Sequence, residues 1–381
     1  MRAGERCLRL IHSRAPLRIN DIGGWTDTWF AREGWVLNLA VVPAVEAQIR
    51  VYENREKRKK NVLLHAENYG QSFWVNPRRP SLSLHPLLQH IIARVPPPPN
   101  LKCEISLFSP VPAGISAGTS ASVSVALLGG LLSLNRIKLP LQEIVSLAHR
   151  VETEDLKMQS GVQDQVCAAY GGICFIHVPE YPRTRVEKLS LQPRVWDELD
   201  RRLYLIYLGK PHLSSAIHRK VIAKLERRGP EWKILQRMKE LPAKARASLL
   251  AGDLDSYGEV MIENNECQRA LLPELICKDA EAIIQVARKH KASGWKVNGA
   301  GGSGGSLTIL ASADDRLRRK MLQEILSLGK GIRPLPACLS QGGLITWDAP
   351  GSIPKFVMSM RKRISGRRGS GTILGKSEGV G

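Results

Sequence analysis

One stretch constrains this chain more than any other. Residues 109–122 read Ser-Pro-Val-Pro-Ala-Gly-Ile-Ser-Ala-Gly-Thr-Ser-Ala-Ser and run without a break into the apolar segment 123–134. Pro110 and Pro112 fix φ and stiffen the approach, while Gly114 and Gly118 permit positive φ and close backbone approach. Thr119, Ser120 and Ser122 then place hydroxyls and free N–H groups at a helix start, where the macrodipole favours an anion. Two readings stand at this point, a phosphate cradle or a Pro-Gly turn leading into a small-residue helix.

At 381 residues the chain has length for two domains or one large one. A hydrophobic fraction of 43% with 24% charged residues is ordinary for a globular protein. The formal charge of +21 is not ordinary, and it implies attraction to polyanions, anionic surfaces or phosphorylated small molecules. Seven cysteines form no C-x-x-C pair and no metal-type spacing with histidines, so neither a zinc site nor a disulfide framework is indicated and a reduced, cytoplasmic protein is expected. Arg2, Arg6 and Arg9 precede no continuous apolar run, which argues against a secretory leader, and no apolar run reaches spanning length.

Strand-like runs at 14–19 and 35–42 bracket the polar connection 21–27, and 45–51 alternates as a half-buried strand. Segment 53–61 reads as a charged hairpin loop, 82–95 as a helix and 101–107 as a strand entering the phosphate loop. A second helix is expected over 140–157 and a short strand over 173–178, followed by a helix-rich half at 214–227, 231–251, 254–268 and 274–290. The glycine run at 299–305, a strand and a helix near 316–328 come next, and the basic, apolar-poor tail from 361 is expected to be disordered.

Four motifs stand in a fixed order: Arg-Ala-Pro-Leu-Arg-Ile-Asn-Asp-Ile-Gly-Gly-Trp-Thr-Asp at 14–27, the loop at 109–122, Glu152 with Gly-Val-Gln-Asp-Gln at 161–165, and Gly-Ala-Gly-Gly-Ser-Gly-Gly at 299–305. Together they resemble the GHMP small-molecule kinases, and within them the sugar-kinase branch of galactokinase, fucokinase and heptose-7-phosphate kinase. Trp25 and Gly24 stand where galactokinases have His and Glu, so the first motif is similar to the Gly-Gly-Trp-Thr-Asp pattern of fucokinases.

The resemblance implies an α+β fold of two domains, ribosomal-protein-S5-like at the N-terminus and ferredoxin-like at the C-terminus. The expected division is an extension at 1–13, an N-terminal domain at 14–185, a C-terminal domain at 186–360 and the tail at 361–381. It implies ATP held by Pro112, Gly114, Ser116, Ala117, Gly118, Thr119, Ser120 and Ala121, and Mg²⁺ held by Ser120 and Glu152. Asp164 matches the catalytic aspartate and Arg18 the arginine beside it; Gly24, Trp25, Thr26, Asp27 and Gly301 match positions close to the sugar. Such oxygen ligands suit Mg²⁺, and an arginine near the aspartate favours its charged form. Read without the resemblance, Glu152 is a solvated helix-face acid, Asp164 an Asx-turn cap, Arg18 a strand-edge charge and Asp27 a turn acid. Ser116 replaces a usual glycine, which predicts a slightly different conformation of the phosphate loop.

The expected activity is therefore ATP-dependent phosphorylation of a sugar hydroxyl, the anomeric one of a hexose, deoxyhexose or heptose phosphate, by a monomer or homodimer. A mevalonate or homoserine kinase fits the first motif and the Gln163-Asp164-Gln165 segment less well. A nucleic-acid-binding protein is motivated by the charge, but zinc-finger spacing and RNP-type aromatic motifs are lacking and aromatics are only 5%. A catalytically inactive relative of regulatory function is motivated by Ser116.

Overall fold

A computed structural model describes residues 6–212 and 214–349, with the side chains of 214–216 left aside; the 361–381 tail lies outside the described residues. The fold begins with two long antiparallel strands, β1 (Arg9–Ile22) and β2 (Gly34–Glu53). Both are buried over most of their length because helices pack across them. β2 unites the two runs expected at 35–42 and 45–51. Pro43, which has no N–H to give, falls where the pairing with β1 jumps from Ala15 opposite Val45 to Leu17 opposite Val41.

β3 (Val62–Ala66) and β4 (Gln71–Val75) follow, then α1 (Pro86–Arg94), β5 (Leu101–Phe108), α2 (Thr119–Leu134) and α3 (Leu141–Arg150). Segment 53–61 is not the tip of a hairpin between neighbours: β2 pairs with β5 instead, and β3 lies parallel on the far side of β5. After α4 (Gln163–Tyr170) come β6 (Ile173–Glu180), β7 (Arg183–Leu189), α5 (Pro193–Arg202) and β8 (Leu203–Leu208). The chain continues through α6 (Ser214–Glu226), α7 (Glu231–Ala251), α8 (Leu254–Leu271), α9 (Lys278–Lys289), β9 (Gly294–Val297), β10 (Ser306–Leu310) and α10 (Asp315–Ser327). Three short strands, β11 (Ile332–Leu335), β12 (Cys338–Leu339) and β13 (Ile345–Ala349), close the described chain.

Two sheets result, an α+β arrangement. The first has the order β13-β1-β2-β5-β3-β4, with β6 and β12 also pairing with β2 and β7 with β6, and the second has the order β11-β8-β10-β9. β12 and β13 therefore return from the second half of the chain to pair with β2 and β1.

Two helices decide where the chemistry sits. α2 is apolar nearly all round and buried, packed on β1 and β2, so its N-terminus is held at the end of the first sheet. α8 packs on β9 and touches β1. Its buried polar side chains join the sheets: Tyr257 Oη accepts from Asn20 Nδ2 at 2.6 Å, Asn264 Oδ1 from Gly23 N at 2.8 Å and Asn265 Oδ1 from Val297 N at 3.1 Å, while Gln268 Nε2 donates to Gly299 O at 2.9 Å.

Candidate active site

The phosphate loop adopts the conformation its glycines allow. Gly114 has φ of 72° and Gly118, the residue before α2, has φ of 63°. A Cβ on Gly118 would meet Asp164 Cγ at 3.3 Å and Arg18 Cβ at 3.4 Å, so the loop lies directly on the expected catalytic pair. It is tied there by Arg18 N donating to Ala117 O at 3.0 Å and by Ser122 Oγ donating to Pro16 O at 2.6 Å.

Arg18 donates from Nε to Asp164 Oδ1 at 2.8 Å, and its Nη2 lies 2.6 Å from the same oxygen. Its Nη1 reaches Asp21 Oδ1 and Ser116 O, each at 3.2 Å. Burial works against the Arg18 charge, but the carboxylates of Asp164 and Asp21 outweigh it and raise its pKa. Asp164, in the first turn of α4, keeps 28% of its side chain exposed and lines the cleft, where it can meet a hydroxyl.

Glu152 reaches the same cleft through a local change of helix. α3 passes into a π-helical turn over Val151–Asp155, and a π-turn rotates side chains off the α-helical register. Glu152 is 3% exposed. Its Oε2 accepts from Ser160 Oγ at 2.7 Å and Gln165 Nε2 at 2.8 Å, whereas its Oε1 is buried with no partner among the described residues. Burial, relieved only in part by those donors, pushes its pKa up to about 7.

Asp27 is also buried, and its Oδ2 accepts from the Val162 and Gln163 N–H groups at 2.8 and 2.9 Å, capping α4. Burial pushes its pKa up to about 6 despite these bonds. Trp25 stands in the left-handed region at φ 74°, its ring 4.7 Å from that of His218. Burial lowers His218 to about 4, so its imidazole is neutral at pH 7.

These groups surround one cleft of about 400 Å³. It is lined by Arg18, Trp25, Asp27, Gly114, Ser116, Ala117, Gly118, Thr119, Ser120, Glu152 and Asp164 among the residues singled out from the sequence. Five others frame it without lining it. Thr26 is fully buried and donates to Trp35 O at 2.7 Å; Gly24 lies under Asp21; Gly301 faces Leu275 O; Pro112 and Ala121 flank the loop. Sequence reasoning missed Asp21, Ser160, Gln165, His218 and Lys296. A lysine between Trp295 and Val297 in a fully buried strand was the available signal for Lys296.

Comparison with known proteins finds kinases among the proteins this chain is similar to. The family model "GHMP kinases N terminal domain" matches residues 86–172. The chain is 28% identical over 316 residues to the bifunctional fucokinase/GDP-fucose pyrophosphorylase of Arabidopsis thaliana, covering 78% of this chain and 30% of that protein. It is 23% identical over 311 residues to the D-glycero-alpha-D-manno-heptose 7-phosphate kinase of Campylobacter jejuni, covering 78% of this chain and 88% of that one. Thus it spans under a third of the plant protein but most of the bacterial one. The fold is similar to the crystal structure of a D-glycero-D-manno-heptose 1-phosphate kinase from Bacteroides thetaiotaomicron, with a TM-score of 0.67 at 20% identity, covering 88% of this chain and 98% of the other.

Proposed function

We propose that this chain is a kinase of the GHMP superfamily, on its sugar-kinase branch, and that it transfers the terminal phosphoryl group of ATP to the anomeric hydroxyl of an uncharged hexose or deoxyhexose. The observation that carries the reading is the Arg18–Asp164 pair, held against Gly118 at the start of α2 in the same cleft as the buried Glu152. Phosphoryl transfer needs positioning and charge stabilisation more than covalent help, and these groups supply both. The loop 114–120 and the N-terminus of α2 receive the phosphates, Arg18 faces the developing charge, and Asp164 orients the hydroxyl and accepts its proton.

The partnerless Glu152 Oε1 fits a hard cation with oxygen ligands. Among the described residues no group of three or more His, Cys, Asp or Glu could hold a metal, so Ser120 and Glu152 would hold Mg²⁺ together with phosphate oxygens and water. When bound, the ion neutralises phosphate charge.

The remainder of the cleft favours an uncharged sugar over a sugar phosphate. Its only Lys or Arg among the described residues is Arg18, already shared by two carboxylates, and Trp25, Trp29, Phe30 and neutral His218 make much of the rest. Aromatic faces suit the apolar side of a sugar ring, whereas a second phosphate would find no free cation there. We further propose a cytoplasmic enzyme, monomeric or homodimeric, with domains near 14–185 and 186–360; among the described residues no helix is long and apolar enough to cross a membrane.

The test is ATP consumption over free hexoses, 6-deoxyhexoses and their phosphates, with ³¹P NMR of the product. We expect an acid-labile sugar 1-phosphate from an uncharged sugar. Asp164→Asn and Glu152→Ala are each expected to cut turnover at least about a hundredfold with the fold intact. A chain that turns over only phosphorylated sugars overturns the substrate; near-wild-type rates in both variants overturn the residue roles.

A further inference from the structure

Resting on that reading, we propose that Asp21 and Lys296 are positioning residues: a fully buried ion pair that fixes the guanidinium of Arg18 against Asp164 and supplies the countercharge that leaves Arg18 free to serve it. Four charges alternate in a line, Asp164, Arg18, Asp21 and Lys296, and burial deepens along it: Asp164 keeps 28% of its side chain exposed, whereas Arg18, Asp21 and Lys296 have side-chain exposures of 6%, 3% and 1%. Asp21 Oδ1 is the hub. It accepts from Lys296 Nζ at 3.0 Å and Gly299 N at 3.0 Å and lies 3.2 Å from Arg18 Nη1.

Each bond constrains a different part of the machinery. The Arg18 contact fixes the end of the guanidinium remote from Asp164, so the planar group cannot swing. The Gly299 contact holds the third glycine loop, where a Cβ on Gly299 would lie 3.4 Å from Ser116 of the phosphate loop. Lys296 sits on β9 of the second sheet, and its Nζ also donates to Val297 O at 2.9 Å.

The charge count explains why a lysine is buried here. Without it, Asp21 and Asp164 would compete for one guanidinium, and Asp21, which water screens less than the partly exposed Asp164, would be the stronger competitor. With it, two cations meet two carboxylates. Burial alone would raise the pKa of Asp21, but Lys296 and Arg18 outweigh it and hold the carboxyl below its usual range. The plainer reading is an ion pair that only joins the two sheets. It predicts lost stability and an unchanged rate per folded molecule.

The experiment measures kcat, the KM values for ATP and sugar, and the thermal midpoint for Asp21→Asn, Lys296→Met and the double variant. Alongside, the exchange rate of the Arg18 Nε–H proton is read in ¹⁵N-arginine-labelled protein, assigned with Arg18→Lys. We expect kcat to fall at least about tenfold in each single variant with both KM values within about threefold, as for a catalytic group displaced rather than removed. Asp21→Asn should recover part of the rate lost in Lys296→Met by removing the competing charge. The Nε–H exchange should accelerate in both singles.

A kcat within about twofold of wild type in folded single variants overturns the proposal, whatever their thermal midpoints. Should Lys296→Met not fold, the nearly isosteric Asp21→Asn carries the test. If the wild-type chain turns over no sugar, the kinase reading fails separately, and unchanged Nε–H exchange in Asp21→Asn overturns the positioning of Arg18 on its own.

Discussion

Ser116 occupies the left-handed region at φ 60°, where a non-glycine residue costs about 1 kcal/mol. That region is one glycine enters freely, and the serine's side chain turns into the glycine loop opposite. There a Cβ on Gly305 would meet Ser116 Oγ at 2.7 Å, so the bulk added on one loop is offset by its absence on the other. Ser116→Gly is therefore expected to leave the KM for ATP within about threefold, while Gly305→Ala, itself at φ 94°, raises it at least about tenfold; steady-state kinetics decide. Asp27 gives a second prediction at this scale. Its carboxyl is pushed from 3.8 up to about 6 by burial, so between those pH values an unfolded chain has shed the proton and the folded one keeps it. Stability from this group is full below pH 4 and lost as pH rises to 6, by up to roughly 3 kcal/mol. Urea unfolding of wild type and Asp27→Asn at pH 4.5 and 7 should show the variant missing that part of the decline.

The π-turn at Val151–Asp155 carries Glu152, the residue proposed to hold Mg²⁺. It is pinned from α1, where Arg94 Nε donates to Asp155 Oδ2 at 2.8 Å and Nη2 lies 3.4 Å from Glu154 Oε2. These side chains are partly exposed, so Arg94→Ala should cost under about 1 kcal/mol of stability. A turn that relaxes towards α-helix would move Glu152, and the half-saturating Mg²⁺ concentration in a kinase assay is expected to rise several-fold while the KM for sugar holds. Equal shifts in both would show a general loosening instead. What the sequence made legible follows the same physics. α2, α7, β5 and the four motifs announce themselves through local periodicity and turn residues, and the motifs come together around one cleft, which eleven of the residues singled out from the sequence line and five only frame. β7 did not, because Arg183–Leu189 is an exposed, charged strand whose pairing with β6 supplies what its composition does not. The polar residues of α8, Asn264, Asn265 and Gln268, look like a solvated face in the sequence and are buried only because two sheets close over them. Asp21 and Lys296 stand 275 residues apart, so no local pattern joins them.

Across the whole molecule the two sheets share one cleft, and their joint is polar: the bonds from α8 and the Asp21–Lys296 pair cross it. That cleft sits in a chain of formal charge +21, part of it in the tail beyond the described residues. Within the cleft the cation balance is different, since Arg18 is paired and Asp27, Glu152 and Asp164 contribute acid groups. The surplus is thus a property of the outer body, and such a field acts at long range on a multiply charged ligand and hardly at all on a neutral one. ATP should feel it and an uncharged sugar should not. Screening shortens that reach to about 8 Å at physiological ionic strength and about 3 Å at 1 M. Raising salt is therefore expected to increase the KM for ATP several-fold while that for the sugar stays nearly constant, and removal of 361–381 should weaken binding to polyanions without abolishing turnover. Kinetics from 0.05 to 0.5 M salt at fixed Mg²⁺ provide the check. A sugar KM that climbs as steeply as that of ATP would mean an anionic acceptor, and would return the phosphorylated sugars to first place.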